Sequence, residues 1–588
     1  MKRIFAVARV LVGVCPLLAA DPYAGYIYPS GIQIGTTNRF IIGGQNLWGL
    51  QGVHFSATGL HVLKVERVPS FTPPTNLQRR HLKNWLDGLA EGRIEEPPKP
   101  NDPHLDEWRS NVWWCALNTL DVGQRAIVEH YLYTPRNSLQ ESPSLRQMAL
   151  VTVAADASLQ PGWCSFSVWN ANGMSAPRPF GITALPRAAE PLYVPPHRAQ
   201  PPPTFADIRV GGIVLDGQIL PGATDTFRLR LAAGRPYTFQ VMARELQPYI
   251  GDAVPGFFNA ILTLKDEDGN VLATADDASR FRPDPAFAFT PEREGDYLLE
   301  IHDVLYRGRA DFVYAITVDS KPAQHGAPGG TVLPQPPPDG VVSQAGGVSS
   351  KTFTIDSPGP HILEVTARRK GSPLDAVLTL RRKADGPVLA QWDDVTNTVF
   401  TGTIPQGECD PIGVYDFQEP GKYVAEITDR TGHGGTDYVW WLEVRRPAPG
   451  FEVYATRSTL PVRAGVPLKV EFRILRKDGF TGDVTIEFPE GIRAKNSVVT
   501  SGVDRVTAEL FCDRRRPAEI KPVSLSARAT INGKTVRRPV IPCDEYEQAF
   551  AWRHLVPAQT FLFRGPSGGA PSRDKRQSGK KQGGRKAR

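Results

Sequence analysis

Gly295-Asp296-Tyr297-Leu298-Leu299-Glu300-Ile301-His302-Asp303 has a counterpart further along the chain in Gly421-Lys422-Tyr423-Val424-Ala425-Glu426-Ile427-Thr428-Asp429. Three more segments pair in the same order and at similar spacing. Ala260-Ile261-Leu262-Thr263-Leu264 parallels Ala376-Val377-Leu378-Thr379-Leu380. Val271-Leu272-Ala273 with Asp276-Asp277 parallels Val388-Leu389-Ala390 with Asp393-Asp394. Asp311-Phe312-Val313-Tyr314 parallels Asp437-Tyr438-Val439-Trp440. Each segment is a short β-branched and aromatic run bounded by Gly, Pro or Asp, which reads as a strand between turns. A unit built this way and repeated predicts an all-β chain of tandem β-sandwich or jelly-roll domains.

Proline-rich stretches bracket the copies. Residues 188–207 and 321–340 read as extended, semi-rigid linkers, which sets the copies at 208–320 and 341–446. Upstream, residues 22–187 read as a β-sandwich. Phe40 and Ile42 share one strand face, and Val53 and Phe55 another. A small helical insert at about 75–135 interrupts it. Leu82, Trp85, Leu86 and Leu89 recur at helical spacing after a Thr75-Asn76 cap, and 119–134 reads as a second helix. Downstream, residues 450–560 read as an immunoglobulin-like domain. Leu468, Val470, Phe472 and Ile474 alternate, Asp478-Gly479 turns, and Val484, Ile486 and Phe488 alternate again, predicting a hairpin. Asn532-Gly533 predicts a second hairpin between 525–531 and 535–541.

Composition agrees with this organisation. The 588 residues include 54 Gly and 54 Pro with no collagen period, and 41% are hydrophobic, too many for a disordered chain. Only the N-terminus holds an apolar run that could engage a membrane. Lys2 and Arg3 precede Val10–Ala20, and cleavage after Ala20 predicts a signal peptide over 1–20 with no transmembrane helix once it is removed. The formal charge is +7, but the tail 565–588 carries eight basic residues and one acid, so the body is slightly acidic. The tail reads as disordered. It holds no aromatic for base stacking, and nothing predicts specific nucleic-acid recognition.

Export permits disulfides. The cysteines after the leader are Cys115, Cys164, Cys409, Cys512 and Cys543, an odd number, with Cys115–Cys164 and Cys512–Cys543 expected to pair.

The copies resemble the bacterial pre-peptidase C-terminal (PPC) domain. The residues that carry the resemblance are Gly222-Ala223-Thr224-Asp225-Thr226-Phe227, Ala232-Ala233-Gly234, Asp276-Asp277 and Gly295-Asp296-Tyr297. The second copy keeps Ser372-Pro373-Leu374-Asp375, Trp392-Asp393-Asp394 and Gly434-Gly435-Thr436-Asp437-Tyr438. It departs at Lys351-Thr352-Phe353, where the family has an acid before the Phe, and at 401–417. The N-terminal domain resembles an IPT/TIG-type domain through Pro29-Ser30-Gly31, Gly43-Gly44-Gln45-Asn46-Leu47 and Asn172-Gly173-Met174-Ser175. The combination is similar to large exported proteins of planctomycete and verrucomicrobial bacteria. The resemblance implies accessory modules outside the cell, often beside peptidases, and no activity of this chain.

Asp276, Asp277, Asp393 and Asp394 follow strands at turns, with Asp303 and Asp429 just past a later strand. Hard carboxylate oxygens there suit calcium, and some relatives of the PPC fold bind it. Capping of turn N–H groups is the competing role. Trp108, Trp113 and Trp114 cluster in the insert. Trp440 and Trp441 are strand neighbours, so only one can enter the core, and the other covers a second surface or stacks on a sugar. The sequence contains no HExxH, GxSxG, strand-linked GxGxxG or P-loop. His81, His104 and His130 share the insert with Asp106 and Glu107 but at no metal-ligand spacing.

The expectation is an exported, non-catalytic binding or scaffolding protein of the periplasm, cell surface or medium. Its partner is an envelope or extracellular protein or a polysaccharide, and it needs no cofactor beyond calcium. An accessory targeting chain for a peptidase or glycan hydrolase, or a hydrolase using the helical insert, are the alternatives.

Overall fold

The structure is a computed structural model. It describes residues 21–565 except 48, 68–75, 94–124, most of 126–146, 191–194, 196, 200, 247–256, 277–283, 321–336, 371, 395–409, 464–465, 513–519 and 549–551. The chain forms two compact units, one over 1–446 with 546–554 and one over 447–545 with 555–588. Both are built almost wholly of strands.

The first unit begins with a sandwich. Strands β1 (Tyr23–Tyr28), β2 (Gly31–Gln33), β3 (Thr37–Gln45), β4 (Gly52–Phe55), β5 (Leu60–Arg67), β6 (Gln147–Ala155), β7 (Gly162–Trp169) and β8 (Arg178–Thr183) form sheets β1-β3-β6-β5 and β2-β8-β7-β4. Phe40, Ile42, Val53 and Phe55 meet in one core with Phe166 and Phe180, as their alternation requires. Between β5 and β6 lies helix α1 (Asn76–Ala90). Leu82, Trp85 and Leu86 pack with Val128 and Leu132, and the described positions of the expected second helix are helical.

The duplicated stretches share one strand order. Strands β9 (Arg187–Ala189) and β10 (Thr204–Asp207) precede the first, which holds β11 (Ile213–Gln218), β12 (Asp225–Leu231), β13 (Tyr237–Met242), β14 (Ala260–Lys265), β15 (Val271–Ala275), β16 (Ala286–Phe289), β17 (Gly295–Asp303) and β18 (Val313–Asp319). The second holds β19 (Gly340–Val341), β20 (Val348–Ile355), β21 (Gly359–Thr366), β22 (Ala376–Arg381), β23 (Val388–Trp392), β24 (Ile412–Phe417), β25 (Gly421–Asp429) and β26 (Val439–Arg445). The order β12-β17-β14-β15 recurs as β20-β25-β22-β23, and β16-β13-β18-β11 recurs as β24-β21-β26-β19. Each frame closes on its own core, around Phe227, Phe239, Leu299 and Tyr314 in one and around Leu363, Leu378, Phe417 and Trp440 in the other.

The same polar supports recur in both frames. The Tyr297 hydroxyl donates to the Arg293 carbonyl and the Tyr423 hydroxyl to the Glu419 carbonyl, each at 2.8 Å. Asp284 accepts the N–H groups of Ala243, Arg244 and Glu245 at a short 3-10 turn. Asp410 accepts those of Arg368 and Arg369 at the matching turn.

The expected linker at 188–207 is in part sheet. β9 and β10 at its two ends pair in parallel with β11 and β12 as edge strands. Open sheet edges present unpaired backbone groups, and the ends of this stretch lack the prolines that would block pairing. Arg198, near its middle, binds Asp87 and Glu129 of the insert.

In the second unit, the core of Phe451, Phe472, Ile474, Val484 and Ile486 lies under an eight-stranded sheet and a three-stranded one. The Asn532-Gly533 hairpin forms as expected, with both residues at positive φ between paired strands Ser526–Ile531 and Lys534–Ile541. The Asp478-Gly479 hairpin does not. Strand Leu468–Lys477 pairs with Gly450–Ala455 and Arg505–Cys512, while Val484–Glu487 pairs with Ser526–Ile531. Phe480 directly follows the turn and is buried against Phe451, so burial carries the chain away before the second strand starts.

The disulfide expectation is also corrected. Cys164, Cys512 and Cys543 are buried thiols with no disulfide. Cys512 ends a strand of the eight-stranded sheet, and Cys543 lies on a different, two-stranded one. Burial pushes the thiols of Cys164 and Cys543 up to about 12, which suppresses thiolate chemistry. Cys115 and Cys409 lie outside the described residues.

Candidate functional site

Of the six aspartates singled out by sequence, the structure brings two together. Asp393 and Asp394 directly follow β23 and meet Asp375, which immediately precedes β22, with one oxygen of each within 4.8 Å of the others. Strand pairing produces this: β22 and β23 are antiparallel, so the start of one lies beside the end of the other.

The three carboxylates have different commitments. Asp375 is buried. Its Oδ2 takes the Arg368 guanidinium at 3.0 Å, and its Oδ1 has no hydrogen-bond partner among the described residues. Asp393 accepts the Asp394 N–H and pairs with Arg430. Burial, then the charges of Asp375 and Asp393, raise the Asp394 carboxyl above its ordinary range. An orphaned buried oxygen beside two further carboxylates is a donor set that fits a hard divalent cation. Arg368 and Arg430 already offset part of the charge, so affinity at such a site is modest.

Asp303 and Asp429 are occupied otherwise. Asp303 accepts the N–H groups of Asn259, Leu305 and Arg307 and both arms of the Arg307 guanidinium. Asp429 accepts those of Asp375, Thr431 and His433. Burial acts to raise both carboxyls. The bonds they accept outweigh it and hold them below the usual range. Both therefore fasten the loop after the long strand to the strand opposite. Asp276 is exposed at the end of β15, and Asp277 lies outside the described residues.

Trp440 is fully buried in its frame's core. Trp441 faces the other way, with the Lys370 ammonium 4.2 Å from its ring centre. Its strand period made this legible. Trp108, Trp113, Trp114, His104 and His130 lie outside the described residues, as does the side chain of His81.

Sequence reasoning missed a buried polar cluster where the N-terminal sandwich meets the first frame. Asp216 on β11 is fully buried. It pairs with Arg187 and accepts both the N–H and hydroxyl of Ser30. Beside it Asp225 accepts the Tyr314 hydroxyl at 2.8 Å, and its carboxyl is hydrogen-bonded to Glu190. The Tyr28 hydroxyl donates to the Glu190 carbonyl. Asp225 sits in the quoted Gly222–Phe227 motif, but its partner Glu190 is far away in sequence and only the edge strand β9 brings it close. Nearby, Trp163, Ile182, Leu185, Val214 and Met242 line a cavity of about 50 Å³, room for water rather than for a sizeable ligand.

No family model matches the chain, and no curated protein matches it. Among solved structures, a crystal structure of an ICAM-5 D1–D4 ectodomain fragment is similar at 11% identity, covering 91% of this chain and 99% of that chain. Its TM-score of 0.12 is too low to carry an argument.

Proposed function

We propose that this chain is an exported modular protein of the cell envelope or extracellular space that acts by binding or scaffolding rather than by catalysis. One observation carries the reading. The two frames repeat the same strand order and the same fold-supporting groups, Asp303/Asp429, Asp284/Asp410 and Tyr297/Tyr423, yet differ in the loops they display. A rigid frame copied with altered loops is how binding modules diversify. Linked weak modules then add avidity. The resemblance to PPC and IPT/TIG-type modules supports the same reading. No described helix is long and apolar enough to cross a membrane.

The test is cell fractionation with affinity capture on envelope extracts. Recovery in the periplasm, at the surface or in the medium, with retention by envelope protein or polysaccharide, is the expected result. Confinement to the cytoplasm overturns it.

Calcium at Asp375, Asp393 and Asp394 belongs to this proposal. Millimolar calcium is expected to raise the melting temperature by a few degrees, since weak extracellular sites bind at about 10⁻⁴–10⁻³ M. Asp394→Asn should abolish that shift. It should also raise the ion-free melting temperature, because it removes a carboxylate that its neighbours disfavour. Equal calcium shifts in both proteins exclude the site.

A further inference from the structure

The two frames hold the loop after their long strand by the same bonds, which allows a residue-by-residue comparison. The Tyr306 N–H donates to the Asp303 carbonyl at 2.8 Å, and the Gly432 N–H to the Asp429 carbonyl at 3.1 Å. The Tyr306 carbonyl accepts the Gly222 N–H at 2.9 Å, and the Gly432 carbonyl that of Gly346 at 3.0 Å. Both residues have positive φ, 52° for Tyr306 and 76° for Gly432. Glycine is what that backbone favours. A tyrosine there is strained, and the fold does not require one, since the other frame closes without it.

The neighbouring side chains diverge in the same sense. Where the second frame has Arg430, Thr431 and Gly432, the first has Val304, Leu305 and Tyr306, with Leu305 68% and Tyr306 53% exposed. The Tyr306 ring lies flat on His302, with centroids 4.6 Å apart and planes 1° apart. His302 Nδ1 is bonded to the Asp303 carbonyl at 3.0 Å, which fixes the lower ring. Arg307 and Asp303 lock the rest of the loop. The result is a rigid aromatic plate. The imidazole covers one face of the Tyr306 ring, which stays half-exposed, and the neighbouring Leu305 is exposed as well.

We propose that Tyr306, backed by His302, is a stacking platform for a sugar ring, making this loop a glycan-binding site of the first frame. This rests on the binding-protein reading above and names its ligand class. A pyranose presents a C–H face that suits the electron-rich face of an aromatic ring, and the phenol hydroxyl at the plate's edge can meet sugar hydroxyls. A ring lying flat against its own protein does not project as a membrane anchor would. Three residues on one loop are also far short of the roughly 800 Å² per partner of a stable protein interface.

The experiment is co-sedimentation of the full chain with peptidoglycan sacculi, chitin, cellulose and xylan, and with phosphatidylcholine/phosphatidylglycerol vesicles. At least one polysaccharide is expected to retain the protein. Tyr306→Gly should lower the bound fraction about tenfold or more with the melting temperature unchanged or raised, because glycine relieves the strain. Tyr306→Phe should keep most of the binding. The proposal is overturned if no polysaccharide retains the wild type, if only vesicles do, if Tyr306→Gly binds like the wild type, or if it melts several degrees lower. An exported protein that fails here loses only this site, whereas a cytoplasmic one removes the wider reading.

Discussion

Asp303→Ala is expected to destabilise the first frame by about 2–4 kcal/mol, somewhat less than breaking a wholly buried ion pair costs, because the Arg307 side chain is 31% exposed. The side chain is fully buried, and it accepts three backbone N–H groups, from Asn259, Leu305 and Arg307, together with the Arg307 guanidinium. Alanine removes this acceptor from backbone donors that are in part without access to water, where each orphan costs about 1–3 kcal/mol, while the Arg307 guanidinium keeps the Phe257 carbonyl. Asp429→Ala should act alike on the second frame, whose Asp375, Thr431 and His433 N–H groups depend on it. Because the two cores are separate, each substitution should shift a different part of the urea or thermal transition. Hydrogen exchange localises the loss: protection should fall in 208–320 for one variant and in 341–446 for the other. Protection lost equally in both stretches would show that the frames share one cooperative core. Both carboxyls titrate below their usual range, so the stability they contribute is present above the unfolded carboxylate pKa and is lost on acidification.

The Glu190–Asp225 pair has the opposite sign. Over the whole residue Glu190 is half-buried, but its carboxyl is desolvated against Asp225. Burial first, then the Asp225 charge, push it up to about 9, and burial pushes Asp225 up to about 6. The pair therefore shares a proton at neutral pH, facing Tyr28, Tyr314 and the Arg187–Asp216 ion pair. A carboxyl with a raised folded pKa keeps its proton longer when folded. The unfolded chain then binds fewer protons throughout the window, and stability falls as pH rises. This loss should run from about pH 4.5, the unfolded value of Glu190, to about pH 9. Glu190→Gln keeps a hydrogen-bonding group of similar shape without the charge. It is expected to flatten the slope and to stabilise the protein at pH 8 by about 1–3 kcal/mol. Urea titrations of both proteins at pH 5, 7 and 9 decide the matter, since parallel pH profiles would mean that Glu190 ionises freely in the folded protein.

Local patterns carried much of the architecture. Alternation placed Phe40, Ile42, Val470 and Phe472 inward, and two helical turns of Leu and Trp placed α1. The twofold match of four segments anticipated a common strand order. The Asn532-Gly533 turn and the opposed Trp440 and Trp441 followed from residue type and strand period. These features depend on neighbours within a few residues, where chain geometry leaves few choices.

What failed depended on distant partners. The Asp478-Gly479 turn has suitable residues, but the core's demand for Phe480 outweighed local pairing. Cysteines placed near one another by domain membership settled on different sheets. Asp303 and Asp429 looked like free oxygen ligands until the facing strands supplied N–H donors. Asp375 escaped notice as a ligand because only strand pairing sets it beside Asp393 and Asp394.

The order of residues alone therefore determined that this is a duplicated all-β chain with inward faces marked by a period of two. Only the tertiary structure decided which carboxylates are buried against backbone donors, which share a proton, and which of two equivalent loops carries an aromatic plate. A pattern of alternation records which side of a strand avoids water. It does not record what stands opposite, and a polar group's charge, strain and availability are set by what stands opposite.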